Sequence, residues 1–234
     1  MTTDDHVAVI GAGLAGLGAA LHLIRAGVPV RLYEASDRVG GQVVTDRVDG
    51  YLLDRGFQVH NTAYPEPRRL LDEAALGFGE FVRGAYLAEP GRRHLVADPR
   101  SRPLAVGSVL SAPLGSLGDR IALARLAGSV LTQSVSCLVA KPETTTYDYL
   151  RGHGLSDAAI DRFLRPFLSG VFLESALTTS SRFFLLTFRC FLTGRTVLPA
   201  DGIGAIPSSS LRTCPTTHCD SGHRSRRCPP TQPR

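Results

Sequence analysis

Apolar and polar positions in the first forty residues follow two different periodicities. An apolar run at 6–10 precedes a segment at 14–26 whose apolar residues recur at three- and four-residue spacing, and a second apolar run follows at 28–33. The spacing at 14–26 predicts an amphipathic helix, whereas short apolar runs bounded by glycine are typical of buried strands. The pattern therefore predicts a strand–helix–strand unit, with Gly27 ending the helix.

The periodicity changes again further along the chain. Residues 43–48 and 51–53 flank Asp49–Gly50, a dipeptide that a type I′ hairpin turn prefers. A helix is predicted at 66–76, and strands at 80–88 and 93–97 are predicted to pair. From residue 116 onward the pattern is helical, and Ser156 is a good N-cap. The predicted helices of this region cover residues 119–136, 144–152, 156–168 and 178–193.

The composition changes after Pro207. Residues 208–234 are rich in Pro, Arg, Ser and Cys and contain one large aliphatic residue, Leu211. Such a segment buries too little apolar area to offset its ordering entropy, so we expect it to be disordered. Its cysteines and histidines match no standard zinc spacing, and no metal site is expected. They are Cys214, Cys219, Cys228, His218 and His223.

Charge and composition limit the classes of partner. The formal charge is +5, but the tail from Pro207 carries five Arg and one Asp, so the rest of the chain is nearly balanced. We therefore expect no nucleic-acid partner. No signal peptide or membrane span is evident, which predicts a cytoplasmic globular protein. Cys137 and Cys190 are predicted to pack as small apolar side chains. The oligomeric state stays open.

A glycine-rich turn joins the first predicted strand to the helix, and its sequence is Gly11, Ala12, Gly13, Leu14, Ala15 and Gly16. In a G-x-G-x-x-G turn the first glycine permits a tight exit from the strand. The second lets a pyrophosphate approach the backbone, and the third lets the helix pack closely. The ligand phosphates would face the free N–H groups at the helix N-terminus.

Glu34 lies at the end of the second predicted strand. A carboxylate there accepts hydrogen bonds from the adenosine ribose of a dinucleotide, and its charge disfavours a 2′-phosphate. FAD and NAD both use this arrangement. Six residues later, Gly40–Gly41 would let a second backbone segment approach the pyrophosphate, and Arg38 would supply positive charge. This second segment favours the ADP half of FAD.

The run VAVIGAGLAGLGAALHLIRAGVPVRLYEASDRVGGQ resembles the N-terminus of the flavin amine oxidase superfamily, which includes amine oxidases, protoporphyrinogen oxidases and phytoene desaturase-like enzymes. Gln42 stands where the family usually has Arg. The resemblance implies an α/β fold, in which a Rossmann-like FAD-binding domain carries an inserted, largely helical substrate domain. It also implies an FAD-dependent oxidoreductase that oxidises a C–N or C–C bond of a small, apolar substrate.

The resemblance continues more loosely through YLLDRGFQVHNTAYPE, where it implies that Gly56, Phe57 and Gln58 lie near the flavin ring. The stretch ending in GIGAIP resembles the substrate-domain helices and the return to the FAD domain. The expected domains are residues 1–65 for FAD binding, 66–194 for the substrate domain, 195–207 for the return, and 208–234 for the tail.

The resemblance covers residues 5–207 and the first half of the family's sequence only. The chain is therefore expected to be truncated, with a tail that is read out of frame; the alternative to truncation is a genuine short paralogue with a disordered tail. Two alternatives for its function also stay open, namely an inactive nucleotide-binding remnant and an NAD-dependent dehydrogenase. The family's lysine near the flavin would come from the missing half, so Lys141 is not assigned that role and the catalytic residues stay unknown. His60, His94 and His153 are predicted to be surface histidines.

Overall fold

The computed structural model describes residues 6–56, 58–89, 91–97 and 115–212. These residues form two compact units. The first contains the described parts of 1–60, 64–80 and 197–234, and the second contains those of 61–63 and 81–196. The second unit is therefore an insertion between residues 80 and 197. This boundary lies beyond residue 65, where the FAD-binding segment was expected to end, because residues 64–80 belong to the first unit.

The first unit begins with the predicted strand–helix–strand element. Strand β1 (Val7–Ile10) pairs in parallel with β2 (Val30–Tyr33), and helix α1 (Leu14–Arg25) connects them. Gly27 follows the helix with φ of +76°, a left-handed conformation that glycine adopts at low cost. Leu17 of α1 packs with Ala12 and Leu32 in a small core.

The predicted hairpin is confirmed. Strands β3 (Thr45–Val48) and β4 (Tyr51–Asp54) are antiparallel, with Val48 opposite Tyr51. Asp49 and Gly50 both have positive φ, as a type I′ turn requires.

The helix predicted at 66–76 is interrupted. Helix α2 (Pro65–Leu70) ends where Leu71 takes an extended conformation, and a 3₁₀ turn (Ala74–Leu76) follows. The Asp72 carboxylate accepts a hydrogen bond from the N–H of Ala75, so it begins a new turn and does not continue the old one.

The remaining strands are short. A three-stranded sheet has the order β5–β9–β6, formed by β5 (His60–Asn61), β6 (Gly79–Glu80) and β9 (Thr196–Leu198). In the second unit, β7 (Gly84–Glu89) and β8 (Arg92–Ala97) form the predicted hairpin, but β7 begins at residue 84. Residues 79–80 pair with β9 instead.

The described residues of the second unit after β8 are mainly helical, in agreement with the sequence pattern. The sequence predicts one helix at 119–136, but the structure has two helices there. The first ends at Thr132, and the Ser134 side chain caps the start of the second. The segment predicted as a helix at 156–168 runs from Ser156 to Phe172 with a π-helical turn at Ile160–Leu164. The helices are α3 (Leu117–Thr132), α4 (Val135–Val139), α5 (Thr146–Gly152), α6 (Asp157–Ala159), α7 (Arg165–Phe172) and α8 (Ser181–Thr193).

The apolar faces of these helices form one core, in which Leu126, Val130, Leu138, Phe184 and Leu185 are buried. Of the two cysteines placed in apolar surroundings, Cys190 is buried but Cys137 is exposed, so that prediction was wrong for Cys137. Helix α4 spans only five residues and directs Leu138 inward, which leaves the neighbouring Cys137 on its outer side. None of the described helices is long and apolar enough to cross a bilayer.

Helix α9 (Ala205–Arg212) follows β9 and belongs to the first unit. Ile203 and Ile206 pack with Leu76 in a second small core of this unit. The helix therefore includes residues 208–212, the first five of the segment expected to be disordered, because burial at its N-terminal end stabilises a helix that its composition disfavours. The cysteines and histidines of that segment lie outside the described residues.

Candidate cofactor site

The glycine-rich turn needs two of its glycines for its own geometry. Gly11 has φ of +93°, which L side chains rarely adopt. A side chain on Gly16 would collide with the carbonyl oxygen of Gly11, so the helix can approach the strand only with glycine there.

Gly13 differs from these two. Its φ is −72°, and a Cβ atom built on it would meet no heavy atom within 4 Å. Neither backbone strain nor packing within the chain therefore requires glycine at this position. The missing side chain leaves open space above the turn, which is the arrangement a ligand needs to approach the backbone.

The start of helix α1 carries unsatisfied donors. Gly13 is its N-cap, and within the described chain no side chain accepts a hydrogen bond from the first turn. Leu14 and Ala15 are exposed at this end. The free N–H groups and the positive end of the helix dipole favour an anionic group such as a pyrophosphate.

The carboxylate of Glu34 lies against this turn. Its Oε2 accepts a hydrogen bond of 2.6 Å from the N–H of Ala12, while its Oε1 accepts bonds of 2.8 Å from both the N–H and the hydroxyl of Ser36. These donors, chiefly the Ser36 N–H, lower the pKa of Glu34 despite partial burial. A charged acceptor is thus held at the end of β2 next to the phosphate-binding turn.

Ser36 is a residue that the sequence pattern did not single out. Its hydroxyl also contacts the carbonyl oxygen of Arg38 at 2.6 Å, so it ties Glu34 to the next loop. The sequence feature that could have indicated Ser36 is its position two residues after the Glu34 carboxylate, where a local hydrogen bond is possible. The Arg38 side chain is exposed.

The glycine doublet lies directly on the turn. The N–H of Gly40 donates to the carbonyl oxygen of Ala12 at 2.8 Å, and Gly13 and Gly40 form an isolated parallel bridge. A Cβ on Gly41 would lie 3.3 Å from the Cα of Gly13. The two glycine-rich segments, about 25 positions apart, therefore form one backbone surface with Glu34 at its side.

The following residues extend this region. Gln42 is exposed, and its carbonyl oxygen accepts a 2.9 Å hydrogen bond from the Gln58 side chain, which also donates to the carbonyl of Arg55. Gly56 has φ of +83° and open space around it. Phe57 lies outside the described residues.

A cavity of about 420 Å³ lies in the same unit. It is lined mainly by apolar side chains of α1, α2 and α9, together with Gln58 and His60. His60 is only 5% exposed and stacks on Phe78, so its prediction as a surface histidine was wrong. The hydrophobic packing around the 3₁₀ turn overrides the usual exposure of a histidine. His153 is exposed, as predicted, and His94 is partly buried.

His60 has an unusual electrostatic position. Its Nε2 lies 4.0 Å from Oε1 of Glu73, and both atoms are buried without a hydrogen-bond partner in the described structure. Burial lowers the pKa of His60, and the charge of Glu73 opposes this only in part. The imidazole is therefore neutral in the folded protein near neutral pH.

Residues 14–216 match the family model of flavin-containing amine oxidoreductases. Putrescine oxidase of Kocuria rosea is 43% identical over 94 residues, which are 39% of this chain and 20% of that protein. Coproporphyrinogen III oxidase of Propionibacterium freudenreichii is 34% identical over 119 residues, which are 46% of this chain and 23% of that protein. The enzyme of the same name from Mycobacterium tuberculosis is 28% identical over 77% of this chain and 40% of that protein.

Solved structures show the same fold. A putrescine oxidase bound to putrescine has a TM-score of 0.61 at 22% identity, covering 90% of this chain and 49% of that structure. An oxidoreductase from Methanosarcina mazei has a TM-score of 0.63 at 19% identity, covering 90% of this chain and 49% of that structure. The chain thus spans about half the length of these structures and less than half of the curated relatives. The matched family is flavin-containing, which favours FAD over NAD as the cofactor.

Proposed function

The chain belongs to the flavin-containing amine oxidoreductases, and on that basis we propose that its first unit binds FAD at the turn described above. The proposed contacts are Gly11, Ala12, Gly13, Leu14, Ala15, Gly16, Glu34, Arg38, Gly40, Gly41 and Gln42.

One observation carries this assignment. Gly13 leaves a space that no atom of the described residues fills, and the Glu34 carboxylate and the Gly40–Gly41 backbone both adjoin it. Backbone conformation explains Gly11 and packing explains Gly16. The open space above Gly13, with Glu34 and the glycine doublet beside it, supports a ligand at this position.

Each residue has a distinct proposed task. The N–H groups at the start of α1 and the backbone of the glycine doublet hold the pyrophosphate. Glu34 accepts hydrogen bonds from the ribose hydroxyls, and Arg38, whose side chain is exposed, supplies positive charge. When bound, FAD supplies the redox chemistry, while the polypeptide orients it and excludes water.

We propose that an enzyme containing this chain oxidises a C–N or C–C single bond of a small, apolar substrate to C=N or C=C. Carbon would lose a hydride and the neighbouring atom a proton, and FAD would be the electron acceptor. Related chains named putrescine oxidase and coproporphyrinogen III oxidase support an oxidase that acts on a small molecule, but putrescine is a diamine and gives no support for an apolar substrate. The apolar faces of α3, α4 and α8 give no separate support, because they build the core of the second unit. Exposed apolar side chains of the second unit give limited support, among them Phe167 and Phe183, which leave 39% and 49% of their surface exposed.

Extraction of the cofactor tests the first proposal. The full chain is purified after expression with riboflavin, and the protein is denatured with acid. A yellow, fluorescent extract identified as FAD by chromatography is the expected result. An extract that contains only nicotinamide nucleotide, or failure of the purified chain to bind added FAD, would contradict the assignment.

Anaerobic reduction of the bound flavin tests the bond type. Putrescine and coproporphyrinogen III are added separately to the FAD-loaded chain, and bleaching of the flavin colour is followed. Bleaching by either one identifies the substrate class. If dithionite bleaches the flavin but neither compound does, the proposed range of bonds is wrong for this chain.

A further inference from the structure

Two side chains of the β3–β4 hairpin form a hydrogen-bonded pair next to the returning chain. The hydroxyl of Thr45 donates to Oδ1 of Asp54 at 2.5 Å, across the first register position of the hairpin. Both residues are partly buried. Cross-strand pairs of this kind stabilise a hairpin, but this one has further partners.

The pair holds the segment that precedes α9. The same Asp54 oxygen accepts a hydrogen bond of 3.0 Å from the N–H of Ile203, and the Thr45 hydroxyl accepts one of 2.8 Å from the N–H of Gly204. A Cβ on Gly202 would lie 2.9 Å from the Asp54 carboxylate, and one on Gly204 would lie 2.9 Å from the N of Thr45. The backbone of residues 202–204 is thus in close contact with the side chains of the hairpin, although Thr45 and Gly204 are 159 positions apart in the sequence.

The held segment leads directly to the glycine doublet. Pro207, in the first turn of α9, lies so close to Gly40 that a Cβ there would come within 2.9 Å of its ring. Gly40 in turn donates to Ala12 of the phosphate-binding turn. A continuous series of contacts therefore runs from Asp54 and Thr45 through α9 to the two glycine-rich segments.

We propose that Thr45 and Asp54 are positioning residues for the dinucleotide. They hold the start of α9 so that Pro207 presses the Gly40–Gly41 segment against the phosphate-binding turn. This inference rests on the proposed FAD site and adds to it a source of pre-organisation outside the nucleotide-binding motif. Small displacements of a binding loop strongly lower the affinity for the ligand, because binding must then also bring the loop into its bound conformation.

Other contacts of the hairpin lack this geometry. Arg47 pairs with Asp201 at 2.8 Å, but both side chains are largely exposed, so water and salt screen the pair. Asp46 pairs with Arg55 within the hairpin itself. Neither ion pair accepts hydrogen bonds from the main-chain N–H groups of residues 203 and 204.

The experiment compares four variants of the full chain. Thr45→Val removes the hydroxyl with little change of shape, Thr45→Ser retains it, and Pro207→Gly removes the ring that contacts Gly40. The control is Thr62→Val in the second unit, where the Thr62 hydroxyl likewise accepts a distant main-chain N–H, that of Arg195, at 3.0 Å. Titration with FAD gives the affinity, the ³¹P spectrum of bound ADP reports the phosphate environment, and thermal unfolding gives stability.

Thr45→Val and Pro207→Gly are expected to weaken FAD binding roughly tenfold and to move the ³¹P signals of bound ADP toward those of free ADP. Thr62→Val should lower thermal stability without either change, and Thr45→Ser should behave like the unmodified chain. If Thr45→Val and Thr62→Val lose stability alike and bind FAD equally well with the same ³¹P signals, the positioning role is refuted. If the unmodified chain binds neither FAD nor ADP, the proposed function itself fails, and this inference fails with it.

Discussion

Oε2 of Glu34 lies 2.6 Å from the main-chain nitrogen of Ala12, although the two residues are 22 positions apart. The other carboxylate oxygen is held by Ser36, so the side chain is fixed from both sides. The hydrogen bonds from Ser36 and Ala12 keep the pKa of Glu34 below its ordinary value, and the group is ionised at neutral pH. A fixed negative acceptor beside the turn suits a ribose diol.

Replacing Glu34 with Gln should weaken ADP and FAD binding roughly ten- to a hundredfold, because hydrogen bonds to a charged acceptor are worth about 1.5–3 kcal/mol. The unmodified chain should prefer ADP to 2′-deoxy-ADP, and E34Q should lose most of that preference. Calorimetric titration measures both ligands. Asp37→Asn, which changes the neighbouring exposed carboxylate, is the control, and an undiminished ribose preference in E34Q would refute the assigned role.

Gly13 and Gly16 should respond in opposite ways to the same substitution. Gly13→Ala should change the free energy of unfolding by less than about 1 kcal/mol, since the structure has space for the methyl group, yet it should abolish tight FAD binding. Gly16→Ala should destabilise the fold by about 2 kcal/mol or more, because its Cβ meets the Gly11 carbonyl. Urea unfolding and FAD titration measure the two effects. If Gly13→Ala binds FAD as tightly as the unmodified chain, the ligand does not occupy the space above Gly13.

Asp119 should make the stability of the helical unit depend on acid pH. Its carboxylate is buried and accepts hydrogen bonds from Ser156 and Ser116, which lower its pKa from 3.8 to about 2. The folded protein therefore binds fewer protons than the unfolded chain in this range. A shift of this size corresponds to about 2 kcal/mol, present above pH 3.8 and lost as the pH falls toward 2.

Asp119→Asn should accordingly lose about 2 kcal/mol at neutral pH, and its difference from the unmodified chain should shrink between about pH 4 and about pH 2. Urea unfolding at several pH values provides the measurement. Asp148→Asn removes the charge from an exposed capping residue of α5 and should cost about 0.5 kcal/mol or less. A pH-independent difference for D119N would contradict the assignment.

His60 should also make stability fall as the pH is lowered, but because burial favours its neutral form. Burial holds its pKa below the ordinary 6.5, so below that pH the unfolded chain binds more protons than the folded protein. Stability is then expected to fall as the pH drops below 6.5, until the buried imidazole itself is protonated. His60→Phe keeps an aromatic partner for Phe78 and should remove this part of the pH dependence. Thermal unfolding between about pH 7 and about pH 5 tests it, with the exposed His153→Gln as the control; identical pH profiles for H60F and H153Q would exclude the effect.

Leu173 and Leu177 form a matched pair, because both have a left-handed backbone, with φ of 58° and 56°. Leu173 ends α7 and is 90% exposed, whereas Leu177 is fully buried. Leu173→Gly should stabilise the unit by about 0.5–1 kcal/mol, because glycine relieves the strain without loss of packing. Leu177→Gly should destabilise it by about 2 kcal/mol or more. Destabilisation by Leu173→Gly, measured by urea unfolding, would indicate a contact for its side chain.

Features that depend on neighbours in sequence were predictable from the chain alone. The glycine-rich turn, α1, Gly27, β2 and Glu34 directly after it form one continuous stretch. Their geometry follows from glycine conformations, helix spacing and a short connection. The Asp49–Gly50 turn and the Ser156 N-cap are equally local. Each needs only a few residues to specify its backbone, so pattern and propensity are sufficient.

Features that depend on distant packing were decided by the tertiary structure. The sequence does not show that His60 is buried against Phe78, or that α9 extends beyond Pro207. Nor does it show that Pro207 lies against Gly40, since the two are brought together by hydrogen bonds between the hairpin and a segment about 150 positions later. Such contacts arise only when a hydrophobic cluster places both segments side by side, and no local periodicity encodes that arrangement.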